Sequence, residues 1–282
     1  MNSLTKPRTW EKLFWPFVTA ALLLALWHYS VLWTGTKVFP SPLSVKRGLV
    51  ELIHKNVLWR DIGDSLRRVA LGFGTAVIIG IPLGLTLGWY PAANQVVNPV
   101  LQILRPISPI AWIPVAIVFF GIGDLPAIFL VFLSAFFPIV VACVSGVSSV
   151  PSIFRRAGRN FGLSPLQLLA RVVFPAALPQ ILIGLRIALG IAWLVVVAGE
   201  MIAVDSGLGY LVIDSRNSGK RYDLVVAAML VIGVMGLALD IIFRRLEKIP
   251  SIRWGFRDAS KEQASAGCGW MAGTHLGHAR LS

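Results

Sequence analysis

The chain is predicted to be an all-α, polytopic membrane protein, and three observations carry that prediction. Apolar residues make up 56% of its 282 residues and charged residues only 14%, where soluble domains carry roughly 25% charged residues. Residues 69–104, 106–123 and 125–154 contain no Asp, Glu, Lys or Arg, and a helix needs about 20 apolar residues to cross the hydrocarbon. These runs are rich in Leu and β-branched residues without strict alternation, which favours helices over an outer-membrane barrel. Six transmembrane helices are predicted, near residues 13–33, 68–90, 99–121, 126–147, 178–201 and 223–243, within one core of residues 13–257.

Residues 1–12 form an N-terminal segment with Lys6, Arg8 and Lys12, and Trp10 and Trp15 suit the membrane interface. The first span reads as an anchor and not a cleaved signal, because Trp27, His28, Tyr29 and Trp33 stand where small residues would mark cleavage. Between spans one and two, Lys37, Lys46, Arg47, Lys55, Arg60, Arg67 and Arg68 outnumber Glu51, Asp61 and Asp64. Basic residues at an outer mouth would attract an anion.

In the second span, Ala76, Gly80, Gly84 and Gly88 recur every four positions, so one helix face is small enough for close packing. Pro82 is expected to bend that helix. In the third span, Pro106, Pro109 and Pro114 follow Pro99. Each interior proline costs a helix about 3 kcal/mol, so a broken segment is expected. Broken backbone in a membrane lines a cavity or packs on protein, which makes Ser108 and Trp112 candidate pathway residues.

Arg105 and Arg186 are expected to snorkel to an interface or serve function, and Glu200 to lie at the external boundary. Neither arginine is assigned to substrate, since a fixed midplane cation would slow release. After the last span come Arg244, Arg245, Lys248 and Arg253. With an even number of spans, both termini and the basic central loop share one face, the cytoplasmic one. Residues 258–282, rich in Ala, Gly and Ser, are expected to be disordered. Cys143 and Cys268 give no disulfide framework, and His275 and His278 are a weak metal pair.

The central loop, about residues 150–175, is the most informative segment. Ile153 to Phe161 reads as a short amphipathic helix with a turn at Gly162. Ser164 can cap a second helix beginning at Pro165, with Gln167 completing a capping box. Phe154, Phe161, Leu163 and Leu166 would form an apolar knob beside Arg155, Arg156, Arg159 and Arg171, suited to a groove on a soluble protein.

At these residues the chain resembles the inner-membrane permease of a binding-protein-dependent ABC importer. That family's cytoplasmic signature runs Glu-Ala-Ala, three residues, Gly, nine residues, Ile-x-Leu-Pro. Its register falls on Arg156-Ala157-Gly158, Gly162 and Val172-Val173-Phe174-Pro175. Ala157, Gly162 and Pro175 match; Arg156 and Gly158 depart, and the acid replaced by Arg156 removes any pairing it would make with a basic group on an ATPase. The resemblance implies a type I importer permease architecture with a coupling helix, in which Phe154, Arg156, Ala157, Gly158, Phe161, Gly162, Leu163, Ser164, Pro165 and Pro175 form the ATPase-coupling set.

It further implies a second permease copy, two cytoplasmic ATPase subunits that use ATP and Mg, and an external substrate-binding protein, all at the inner membrane. No cofactor or nucleic acid is expected on this chain, and it lacks a phosphate-binding loop of its own. Phe39-Pro40-Ser41-Pro42, Ser65-Leu66-Arg67-Arg68-Val69 and Gly80-Ile81-Pro82-Leu83-Gly84 resemble the branch importing nitrate, bicarbonate, alkanesulfonates and taurine. Glu247-Lys248-Ile249-Pro250 and Ile252-Arg253-Trp254-Gly255-Phe256 resemble cyanobacterial nitrate/nitrite permeases, which implies nitrate and nitrite as substrates, with bicarbonate or organic sulfonate as alternatives.

A competing resemblance is to intramembrane aspartyl proteases, through Gly121-Ile122-Gly123-Asp124 and Tyr222-Asp223, but the two motifs stand in reversed order here. A membrane subunit without transport activity is the other alternative; ATP-dependent uptake separates it from a permease.

Overall fold

The computed structural model describes residues 9–34 and 39–247, and every regular element among them is helical. The expected disordered tail, Lys6, Arg8, Lys37, Cys268, the histidine pair and the C-terminal motif beyond residue 247 lie outside the described residues.

Eleven helices are described: α1 (Thr9–Thr34), α2 (Pro42–His54), α3 (Val57–Trp89), α4 (Pro91–Leu104), α5 (Ile113–Phe120), α6 (Asp124–Ser149), α7 (Ser152–Asn160), α8 (Pro165–Leu168), α9 (Phe174–Ala203), α10 (Leu208–Asn217) and α11 (Tyr222–Glu247). By length and composition, four uninterrupted helical stretches can cross a membrane: Val57–Trp89, Asp124–Ser149, Pro165–Ala203 and Tyr222–Arg245. The pair α4 and α5 passes the same test jointly, bent by 83°. The apolar stretch Phe17–Trp33 of α1 is shorter than a full span. The protein is thus an all-α, multi-pass chain with four to five clear spans among the described residues.

The second span begins earlier than its charge-free run, because α3 carries Arg60, Asp61, Asp64, Arg67 and Arg68 on its first turns. The third span is broken as expected: α4 ends at Leu104, a one-turn 3-10 helix covers Pro109–Trp112, and α5 follows. Helix α2, within the segment read as a connection, starts at Pro42 with Ser41 accepting a hydrogen bond from the Ser44 amide at 3.3 Å.

The chain forms two compact units. One holds the described residues up to Ser65 together with Asp205–Val234; the other holds Leu66–Val204 and the described residues from Met235. In the first, α2 buries Val45, Gly48 and Leu52, and Gly48 lies beside Leu224 and the Asp223 carbonyl. The amide groups at the start of α10 are satisfied from α3, with Gly207 donating to Asp61 Oδ1 at 3.3 Å and Leu208 donating to Ser65 Oγ at 3.0 Å.

The second unit is built on α6, which packs along α9 and receives α3 on another face. Ala76 is fully buried, and Cβ atoms added at Gly80, Gly84 and Gly88 would meet Ile139, Cys143 and Val147 on α6. The four-residue stripe therefore seats α3 on α6 as its spacing predicts, and Gly72 against Val131 extends it by one turn. On the α9 side Gly184 marks a close approach, where an added Cβ would stand 2.0 Å from Ala142 Cβ.

Candidate functional site

The central loop folds as two short helices locked to the start of α9. α7 ends where the Phe161 amide reaches the Ala157 carbonyl, and Gly162 turns the chain at φ +74°, a left-handed conformation that favours glycine. The Leu163 amide then closes on the Gly158 carbonyl at 3.2 Å. Ser164 Oγ accepts from the Gln167 amide at 3.4 Å while Gln167 Oε1 accepts from the Ser164 amide at 3.1 Å, forming the expected capping box.

Gly158 is buried under this turn, and a Cβ there would fall 2.3 Å from Leu168 Cδ1. That contact gives the departure at Gly158 a packing reason: Leu168 occupies the space a side chain would take. Beyond Leu168 the ladder widens into a π turn, Leu169–Val173, just ahead of Pro175, whose ring and missing amide hydrogen interrupt a regular helix.

The outer surface of the loop carries Phe154, Phe161 and Leu166, with Phe161 86% exposed. Leu163 departs from the expected knob: it is half-buried, near Gly158. Arg156, Ala157 and Arg159 are exposed beside the knob.

Ser108 is exposed at the break of the bent span, ahead of the 3-10 turn. Trp112 packs against the cluster of Ile113, Leu130 and Val195. The two candidate pathway residues therefore differ: Trp112 contributes to the core, whereas Ser108 remains open.

Charged residues produce the largest revision. Arg68, read as part of a basic connecting segment, is buried, as is Glu200, and their side chains pair at 2.8 Å. Arg68 also reaches Asp124 Oδ1 through Nε at 2.8 Å and Nη2 at 2.6 Å, and Arg67 contacts the other Asp124 oxygen. This network ties together α3, α6 and α9. Arg186 is held by Asp240 at 2.7 Å, and Asp240 also accepts from Arg244 at 2.7 Å. Arg186 is thus held in an interhelical ion pair, and Asp240 is a partner that the sequence reading overlooked.

In the first unit, Arg221 bridges Glu51 at 2.7 Å and Asp223 at 2.8 Å, while Lys55 joins Glu51 at 2.7 Å. Hydrogen bonds from Arg221 and then Lys55 hold the Glu51 carboxyl below its usual range, and Asp223 and then Glu51 raise the Arg221 guanidinium. Several cations of the basic connecting segment are thereby matched by acids, which weakens its reading as an anion funnel. Asp124 and Asp223, the two acids of the protease resemblance, are each bound by arginine within their own unit. Among the described residues, no group of three or more His, Cys, Asp or Glu could hold a metal.

The described residues thus form a helical, multi-pass membrane chain with a capped two-helix loop. Residues 76–249 match the family described as the binding-protein-dependent transport system inner membrane component, and the chain belongs to that family. It is 43% identical over 209 residues to an ABC transporter permease protein of Brucella melitensis, covering 73% of this chain and 84% of that one. It is 34% identical to the taurine transport system permease protein TauC of Escherichia coli, covering 81% and 85% of the two chains. It is also 34% identical to the nitrate import permease protein NrtB of Synechocystis, covering 84% and 89%. Among solved structures, the inward-facing MetNI methionine ABC transporter aligns with a TM-score of 0.55 at 22% identity, covering 67% of this chain and 95% of that chain. That likeness supports a type I importer permease fold. The chain is a permease-type transport component of the inner membrane and not a catalyst.

Proposed function

We propose that the chain is the membrane-spanning subunit of an ATP-driven importer that moves nitrate, with nitrite as a second substrate, from an external binding protein to the cytoplasm. The observation that carries the transport reading is the loop of α7 and α8, whose caps fix exposed Phe154, Phe161 and Leu166 in one apolar surface. Such a surface suits insertion into a groove on a cytoplasmic ATPase, and closure of two ATPases would move the loops of two permease copies together. ATP and Mg belong to those ATPases, and this chain binds no cofactor. In this reading α1 supplies the first of six spans, the bent α4–α5 pair supplies the third, and both termini are cytoplasmic.

The nitrate assignment is supported by the likeness to the Synechocystis nitrate permease over most of the chain. Taurine is the second reading, favoured by the same 34% identity to TauC. The test is uptake by the complete assembly in proteoliposomes, with labelled nitrate, nitrite and taurine supplied in parallel through the binding protein. ATP-dependent nitrate uptake is expected. Taurine uptake without nitrate uptake would replace the first substrate by the second.

A further inference from the structure

We infer that the cleft between α4 and α6 is an oxyanion-binding station within the membrane, formed by Asn98, Gln102 and Arg105. The inference deepens the importer reading and rests on it for the identity of the anion. The three side chains recur at i, i+4 and i+7, which aligns them on one face of α4 and its C-terminal cap. With Leu101, Phe137 and Val141 they line a cleft of about 350 Å³, within the range of roughly 300–1,000 Å³ typical of small-ligand sites.

Chemistry fixes the sign of the ligand. Arg105 contributes a permanent cation with five N–H donors, and Asn98 and Gln102 contribute amide donors; no acid lines the cleft. Two arginines of the membrane helices, Arg68 and Arg186, contrast with Arg105. Arg68 is matched by Asp124 and Glu200, and Arg186 by Asp240. Arg105 makes no ion pair in the described structure, yet it sits at the break of the bent pair Pro91–Leu104 and Pro109–Phe120, which together are long and apolar enough to cross a membrane. A cation at such a position is costly unless water or a counter-charge meets it.

The break itself leaves backbone groups that must be met by protein or by a water-filled cavity. A planar guanidinium flanked by amides matches an oxyanion such as nitrate or a sulfonate. Gln102 and Arg105 are exposed and Asn98 is half-buried, so these donors would grip an anion from one side only. A one-sided grip holds an anion less firmly than an enclosing one, which eases the release that a fixed arginine would otherwise slow.

The test uses the complete assembly in proteoliposomes and the purified permease in detergent. Arg105→Gln is expected to lower uptake of the transported anion about tenfold or more, the loss of one charge-assisted contact, with ATPase stimulation by the loaded binding protein retained. Arg105→Lys should recover part of the rate. Gln102→Glu, which supplies Arg105 with an internal counter-ion one helical turn away, should reproduce the loss. Nitrate or taurine should raise the thermal midpoint of the wild-type permease and not that of Arg105→Gln, a readout independent of transport. Wild-type uptake in both Arg105→Gln and Gln102→Glu would overturn the station, as would anion stabilisation that survives Arg105→Gln. Unchanged uptake with loss of a copurifying anionic phospholipid from Arg105→Gln would assign the cleft to a lipid phosphate and overturn the substrate role. If the wild-type assembly moves neither anion but nitrate or sulfate stabilises it through Arg105, the importer's substrate assignment fails and the oxyanion site stands.

Discussion

Arg68 divides its guanidinium between Asp124 and Glu200, and both Arg68 and Glu200 are sealed from solvent. Removing one member of such a pair strands a buried charge, at a cost of about 3–5 kcal/mol. Arg68→Ala and Glu200→Ala are each expected to lower the thermal midpoint of the detergent-purified protein strongly. An Arg68→Met/Glu200→Leu double variant should lose less than the sum, because the stranded charge disappears with its partner; additive losses would count against a coupled pair. Glu51 behaves differently: it is half-buried, and hydrogen bonds from Arg221 and then Lys55 hold its carboxyl below the ordinary glutamate range. A lowered carboxyl pKa stabilises the folded state above the unfolded pKa and is lost as pH falls through the folded value. Amide exchange in α2 should therefore accelerate as pH falls below the ordinary glutamate range, and Glu51→Gln should remove that part of the acid dependence.

Helix packing in the second unit depends on where side chains are absent. At Gly84 an added Cβ would lie 2.5 Å from Cys143 Cβ and 2.9 Å from the Val140 carbonyl oxygen, whereas at Gly74 it would meet nothing within 4 Å. Gly84→Ala is expected to push α3 from α6 at a cost of about 1–3 kcal/mol. Gly74→Ala on the same helix should be neutral or stabilising, by up to about 1 kcal/mol from helix propensity. Thermal midpoints of the two variants, measured side by side, check the asymmetry; equal losses would mean the stripe does not set the α3–α6 approach. The stripe itself was legible from spacing alone, because four-residue recurrence determines a helix face whatever that face meets.

In the proposed importer, transport requires the loop of α7 and α8 to act as one body with the spans around it. Gly162 holds φ +74°, a conformation that costs a β-branched residue roughly 1–3 kcal/mol. Gly162→Val is therefore expected to distort the coupling turn and separate ATP turnover from uptake while the permease still inserts. Phe161→Ala leaves the turn intact but removes most of an exposed apolar side chain. Association with the ATPase should weaken by about 1.5–3 kcal/mol if that ring fills a groove. Affinity of the purified permease for its ATPase, together with uptake per ATP hydrolysed, checks both. Wild-type values for both variants would remove the loop from the coupling path.

The sequence by itself determined the helical membrane class, the small-residue face of α3, the break around Pro106, Pro109 and Pro114, and the capped loop at Ser164-Pro165-Leu166-Gln167. Each is set by residues within a few turns of one another: apolar length, four-residue recurrence, missing amide hydrogens, or a side chain reaching its own backbone. Only the tertiary structure decided which charges are matched. Arg68 meets Asp124 across 56 residues and Glu200 across 132, and Arg186 meets Asp240 across 54. No local pattern encodes those meetings; they arise when helices distant in sequence are laid side by side in a medium that penalises an unpaired charge. The same packing left Arg105 beside Asn98 and Gln102 in a cleft that no acid lines.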